Sequence, residues 1–199
     1  PAGSSEVICG IGRWMTTMAE CEILHLRCLT RERKKDRVAP LLRIAAFVIL
    51  GDTQLIEKAA EALLEKSRGL GQIDMLVCPE AKGIPLTHAI AARMGVDYVV
   101  ARKSVKAYME HPIIEETKSI TTSEKQIIVI DEMDAAKLDG KRVCVVDDVV
   151  STGGSLHSLE AVLAKTGCTV VSKVAVLLEE GGYDGKDLIY LEKLPVFKD

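Results

Sequence analysis

Two adjacent aspartates, Asp147 and Asp148, close a run of valines and stand just ahead of a Ser-Thr-Gly-Gly-Ser turn, residues 151–155. Gly153 and Gly154 let backbone N–H groups approach an anion closely, and Ser151, Thr152 and Ser155 add hydroxyls. A helix starting at such a turn adds the positive end of its dipole, so the stretch has the makings of a monophosphate cup. Two carboxylates beside it would repel a phosphate. They must serve something else: vicinal sugar hydroxyls, a developing cation, or the water shell of a metal ion. A sugar phosphate satisfies both halves of the stretch.

The elements that would position these residues are legible from about residue 44 onward. A strand-like run over 44–50 ends at Gly51, and Asp52 is placed to cap a helix whose Ile56, Ala59, Ala60, Leu63 and Leu64 share one face. A short buried-strand pattern, IDMLVC, precedes a second helix with Pro85 at its start and Gly95 at its end. DYVVARK reads as a strand, 104–125 as a long polar excursion and QIIVI as another strand; Asp139-Gly140 turns into KRVCVVDD, a helix spans 154–166, and TVVSKVAVLL is a further strand. Strands alternating with helices predict an α/β fold with a mainly parallel sheet flanked by helices. Ligands in such sheets bind beyond the carboxyl ends of the strands, which places the segments 79–84, 102–106 and 147–155 on one rim.

Composition narrows the class. The 199 residues, 48% of them hydrophobic, suit one full-sized core. A net charge of −3 argues against nucleic acid as a partner, since a broad phosphate footprint needs a basic surplus. Six scattered cysteines with no C-x-x-C pair read as free thiols of a reducing compartment. The longest apolar stretch, 39–51, is interrupted by Arg43 and too short to span a bilayer, and no leader pattern opens the chain, so the expected location is the cytoplasm with no membrane partner. GGYDGKD carries Asp187 where a nucleotide-binding P-loop needs a hydroxyl, and the GIGR of 10–13 is followed by Met15 where a dinucleotide fingerprint needs its third glycine.

VVDDVVSTGGS resembles the phosphoribosyl pyrophosphate signature of type I phosphoribosyltransferases. The resemblance implies that Asp147 and Asp148 contact the ribose 2- and 3-hydroxyls while Val149, Val150, Ser151, Thr152, Gly153, Gly154 and Ser155 cradle the 5-phosphate. CPEAKGIPL is similar to the family's pyrophosphate loop, here Glu80, Ala81, Lys82 and Gly83, and ARKSVKAY to its Arg-Lys-x-x-Lys strand end, so Arg102, Lys103 and Lys106 are expected on pyrophosphate oxygens. The excursion over about 107–125 lies where the family keeps a mobile loop. Glu124 falls near a loop glutamate that assists the proton on the base in adenine-type members. On this likeness Asp147, Asp148, Glu124 and Lys103 are the catalytic candidates, and Mg²⁺ arrives with phosphoribosyl pyrophosphate, held by no direct protein ligand and reached by Asp147 and Asp148 through water.

The family fold also implies a small N-terminal hood, residues 1–44, ahead of a core of 45–199, and a homodimer. For the second substrate, a nucleobase, 6-oxopurine members carry a lysine donor about where Glu180 stands here, and a carboxylate cannot donate to a carbonyl unless protonated. Leu177-Leu178-Glu179 resembles the Leu-x-Glu of adenine-type members instead. The adenine-type hood motif is absent from residues 1–44, and STGGS with RKSVK is also reminiscent of orotate enzymes. The expected activity is therefore transfer of ribose 5-phosphate to adenine in purine salvage. Orotate or xanthine as acceptor, or a non-catalytic regulator that senses phosphoribosyl pyrophosphate, are the alternatives.

Overall fold

The computed structural model describes residues 31–32, 42–44, 47–117, 126–184 and 186–198. Its centre is a five-stranded sheet built from β3 (Met75–Pro79), β4 (Asp97–Ala101), β7 (Arg142–Val150), β8 (Thr169–Glu179) and β9 (Ile189–Leu194). They lie in the order β4-β3-β7-β8-β9, and every neighbouring pair is parallel. The expected α/β class with a mainly parallel sheet is what the chain adopts.

Strand alternation divides the core into two faces. Leu76 and Cys78 of β3 and Cys144 and Val146 of β7 pack under α1 (Thr53–Lys66) and α2 (Ile84–Met94). Met75, Val77, Val143 and Val145 pack on the other side with α3 (Glu132–Leu138) and α4 (Gly154–Leu163). With both faces covered, the strands read as near-continuous apolar runs, as buried parallel strands must. Asp52 caps α1 by accepting from the Leu55 N–H at 3.0 Å, and Gly95 ends α2 in the left-handed conformation at φ 68°.

Several expectations need correction. The run 44–50 is not one strand: Leu42–Ile44 forms β2, whereas 47–49 carries no strand pairing and the chain turns at Leu50 and Gly51. Phe47 and Ile49 are buried against the α1 and α2 face, so the apolar alternation there serves packing rather than a sheet ladder. The excursion 104–125 is not wholly irregular. Ile113–Thr117 forms β5, antiparallel to β6 (Gln126–Ile130), and this ribbon, not the main sheet, is where QIIVI belongs. It is tied to the end of β4 by a bridge between Arg102 and Val129, and to the end of α4 by Lys165, which donates to the Ile114 carbonyl at 3.0 Å and pairs with Glu115 at 2.6 Å.

Helix α4 ends at Leu163, earlier than the expected 166, and Gly167 closes the turn that follows. Helix α3 and strand β9 are further elements beyond those expected. Of the segment 1–44, the described parts are β1 (Arg31–Glu32) and β2, which form a small antiparallel sheet with the C-terminal β10 (Val196–Lys198) in the order β1-β2-β10.

Candidate active site

The sheet order places the two directions of winding on either side of β3 and β7. From β3 the chain crosses through α2 to β4 on one flank, and from β7 it crosses through α4 to β8 on the other. Loops leaving β3 and β7 therefore part company and open a crevice at their carboxyl ends, the usual ligand position in such sheets. Both helices that start at this crevice, α2 at Gly83 and α4 at Gly153, lack a side-chain cap. The first-turn N–H groups of α4 are left for another acceptor, an arrangement suited to anions, whereas at α2 the Ile84 N–H donates to the Ala81 carbonyl at 3.3 Å and Pro85 has no N–H.

The three rim segments expected from sequence meet here. The Glu80 N–H donates to the Ala101 carbonyl at 2.8 Å, and the Glu80 carboxylate accepts from the Lys103 N–H at 3.0 Å. Arg102 and Lys106 approach the same carboxylate at 3.7 and 3.9 Å. Glu80 thus holds the loop after β3 against the basic loop after β4. The Lys103 N–H, with the neighbouring cations, keeps its carboxyl below the usual glutamate value. The peptide between Glu80 and Ala81 is cis; Ala81 and Lys82 are exposed beyond it. Gly83 sits so close to β7 that an added Cβ would lie 3.4 Å from the Val146 carbonyl and 3.5 Å from an Asp147 carboxylate oxygen. Lys82, Arg102, Lys103 and Lys106 consequently gather next to the acidic pair, with Arg102 and Lys106 half-buried and Lys103 exposed.

Asp148 is buried, and its Oδ2 has no hydrogen-bond partner among the described residues. Its N–H donates to Asp147 Oδ1 at 2.8 Å. Both carboxyls are pushed above the ordinary aspartate value, first by burial. For Asp147 the Asp148 charge adds to the rise and Lys103 opposes it; for Asp148 the nearby Lys82 opposes it. An orphaned, buried carboxylate oxygen is costly unless a ligand donates to it. Sugar hydroxyls are suitable donors.

Beyond the pair, Val149 and Val150 root the turn in the core, and Thr152 and Ser155 are exposed. Gly153 adopts φ 80° and only there could the chain swing from β7 into α4 without side-chain strain. Among the described residues no group of three or more His, Cys, Asp or Glu could hold a metal ion. The donor set is instead two carboxylates beside a basic cluster, which fits a metal that brings its own phosphate and water ligands. Glu124 lies outside the described residues.

Sequence reasoning missed what backs the turn. The loop after β8 folds behind it, with the Tyr183 N–H donating to the Ser151 carbonyl at 2.8 Å. Beside it a pocket of about 220 Å³ opens at the ends of β8 and β9, lined by residues that include Glu179, Glu180, Asp184 and Lys193. The one available signal was Lys173, a lone cation inside the apolar run of β8; it is buried and paired with Glu160 and Asp187. His88, without an obvious partner in sequence, packs edge-on to Tyr98. Cys78 and Cys144 are buried free thiols, as expected, while Cys9, Cys21 and Cys28 lie outside the described residues. No helix among the described residues is long and apolar enough to cross a membrane.

A doubly wound sheet with a glycine turn, an acidic pair and a basic cluster at its switch point has the chemistry that a phosphorylated sugar requires. Comparison with known proteins is more specific: the family model for the phosphoribosyl transferase domain matches residues 49–194, and the chain belongs to that family of pentosyl-transferring enzymes. An adenine phosphoribosyltransferase of Thermoanaerobacter sp. (strain X514) is 31% identical over 150 residues, covering 73% of this chain and 83% of the relative. A hypoxanthine/guanine phosphoribosyltransferase of Methanosarcina acetivorans is 30% identical over 132 residues, covering 66% of this chain and 65% of the relative. Among solved structures, adenine phosphoribosyltransferase from Thermoanaerobacter pseudethanolicus superimposes with a TM-score of 0.72 at 25% identity, covering 89% of this chain and 99% of the other.

Proposed function

We propose that the chain transfers ribose 5-phosphate from phosphoribosyl pyrophosphate to adenine, releasing pyrophosphate and AMP in purine salvage. The observation that carries the phosphoribosyl part is the juxtaposition of the orphaned Asp148 carboxylate, the uncapped start of α4 and the basic cluster around Glu80. Asp147 and Asp148 accept from the two ribose hydroxyls, and the turn from Val149 to Ser155 takes the 5-phosphate on backbone N–H groups and hydroxyls. Ala81, Lys82 and Gly83, with Arg102, Lys103 and Lys106, take the pyrophosphate. Glu80 organises that side rather than binding it directly, since its carboxylate already accepts from Lys103.

The bond to be broken joins the anomeric carbon to a pyrophosphate oxygen, and the bond to be formed joins it to a ring nitrogen of the base. Positive charge on the sugar ring is stabilised by the two carboxylates beneath it, and negative charge on the departing oxygen by the cations. Both effects are strongest at the transition state, so they accelerate rather than merely bind. Mg²⁺ bound with the substrate adds charge neutralisation of the pyrophosphate; Asp147 and Asp148 are the residues that would reach its water shell. Glu124 takes the proton that leaves the base.

Adenine is favoured by the chemistry at the end of β8. Glu179 and Glu180 offer acceptors to an exocyclic amine, and ionised carboxylates give nothing to a 6-oxo group. Several relatives named as adenine phosphoribosyltransferases support the same acceptor. Lys193 in the same pocket, with the hypoxanthine/guanine relative, favours a 6-oxopurine as the second reading. A homodimer and a cytoplasmic location accompany the proposal on family likeness. The test is pyrophosphate release from phosphoribosyl pyrophosphate and Mg²⁺ with adenine, hypoxanthine, guanine, xanthine, uracil and orotate in parallel. Turnover with adenine supports the reading, and turnover only with an oxo base overturns the acceptor. Binding of phosphoribosyl pyrophosphate without turnover on any base supports a sensor in place of an enzyme.

A further inference from the structure

We infer that Tyr183 is a positioning residue for the phosphate-binding turn, and that an ion cluster around the buried Lys173 holds it in place. The inference rests on the reading of residues 151–155 as a 5-phosphate site. It concerns what sets the geometry of that site.

Tyr183 touches the turn in two ways. Its N–H donates to the Ser151 carbonyl at 2.8 Å, which aims that carbonyl away from the crevice. The peptide that follows is trans, so the Thr152 N–H points opposite to the Ser151 carbonyl, toward the side where an anion would sit. Gly182 crosses the same peptide so closely that an added Cβ would lie 2.3 Å from the Ser151 carbonyl oxygen. The Tyr183 ring meanwhile lies directly against Gly153: an added Cβ there would come to 2.5 Å from Cδ2 and 3.2 Å from Cγ and Cε2. Tyr183 therefore fixes one peptide plane of the cup and supports the left-handed glycine at its centre.

The ring is itself held. Its hydroxyl donates to Asp187 at 2.5 Å and faces Lys173 Nζ at 3.5 Å, while its edge packs on His157 with ring centroids 5.6 Å apart. Lys173 reaches out of β8 to Glu160 of α4 at 2.6 Å and to Asp187. Burial opposes the Lys173 charge, but the Asp187 and Glu160 carboxylates outweigh it and raise its pKa above the ordinary lysine value. One ammonium thus joins the strand, the helix that follows the cup and the loop that carries Tyr183. A lysine this buried is costly unless its partners repay the desolvation. Here the partners converge on the back of the phosphate turn.

A uniform contribution to substrate and transition state changes KM rather than kcat, which separates this role from a catalytic one. The experiment compares the wild-type chain with Tyr183→Ala, Tyr183→Phe and Asp187→Asn. It measures calorimetric affinities for ribose 5-phosphate and for Mg²⁺-pyrophosphate, steady-state constants for phosphoribosyl pyrophosphate, and the thermal midpoint. Tyr183→Ala is expected to weaken ribose 5-phosphate about tenfold and raise KM in proportion, with kcat and pyrophosphate affinity within about twofold of wild type. Tyr183→Phe keeps the ring on Gly153 and recovers most of the loss, and the exposed Asp187→Asn change produces a loss of about threefold. Ribose 5-phosphate affinity unchanged in Tyr183→Ala and Asp187→Asn would overturn the inference while leaving the proposed function standing. So would equal weakening of both ligands with no rescue by Phe. If Tyr183→Ala does not fold, Asp187→Asn and Tyr183→Phe decide by the same selectivity for ribose 5-phosphate over pyrophosphate. A wild-type chain that binds pyrophosphate but no ribose 5-phosphate would refute the cup itself, and this inference with it.

Discussion

Replacing Asp148 by Asn should make the protein more stable and nearly useless. The folded chain buries two adjacent carboxylates whose pKa values are both raised, with burial the first cause and, at Asp147, the Asp148 charge the second. For an acid with a raised folded pKa, the folded state binds protons that the unfolded state has already released, so stability falls as pH climbs. The cost is absent below the unfolded value near 3.8 and is full once pH exceeds the folded values. Neutralising one partner removes the repulsion, and the Asn amide can donate to Asp147. A gain of about 1–2 kcal/mol follows, or about 2–8 °C in thermal midpoint for a chain of this size. The same change removes the acceptor strength of the orphaned Oδ2. A hydrogen bond to a charged group is worth about 1.5–3 kcal/mol, so affinity for ribose 5-phosphate should drop about 10- to 150-fold. Thermal melts at pH 5 and pH 8 and calorimetric titration suffice as assays. The variant's stabilisation should be larger at pH 8. A lower midpoint than wild type at both pH values, or unchanged ribose 5-phosphate affinity, would refute this account of the acidic pair.

Gly153→Ala should be among the most damaging single-methyl additions. The left-handed backbone costs an alanine about 1–2 kcal/mol, the methyl must displace the Tyr183 ring, and both a lower thermal midpoint and a raised KM for phosphoribosyl pyrophosphate are expected. Glu80→Gln should cost about 0.5–1.5 kcal/mol at neutral pH and loosen pyrophosphate binding, read by urea unfolding and calorimetry. Because the folded Glu80 pKa is lowered, its contribution is present above the unfolded value of about 4.5 and disappears as pH falls through the folded value. The variant and wild type should therefore converge in stability under acid. Burial pushes the Cys78 and Cys144 thiols up to about 11, so at pH 8 native protein should leave both unalkylated by iodoacetamide until denaturant is added, as peptide mass mapping would show.

The chemistry that uses contiguous residues was legible before any fold was known. An acidic pair followed by a glycine turn needs only the local geometry of one strand-to-helix junction, so VVDDVVSTGGS shows itself in the sequence, and the strand-end rule was enough to bring 79–84 and 102–106 to the same rim. Helix caps at Asp52 and Gly95 were legible for the same reason, being set by their own backbone neighbours. Tertiary structure decided what depends on partners distant in sequence. Within the apolar pattern over 44–50, residues 47–49 pair with no strand, and Phe47 and Ile49 turn inward instead. Ile113–Thr117 becomes a strand only because Gln126–Ile130 lies beside it. Glu80 looked like a member of a binding loop, and its partner is the Lys103 backbone 23 residues on. Lys173, Glu160, Asp187 and Tyr183 come from a strand, a helix and a loop, and no spacing between them marks a common purpose. Contacts of that kind exist only once the parallel sheet has stacked β7 beside β8 and folded the following loop behind the phosphate turn.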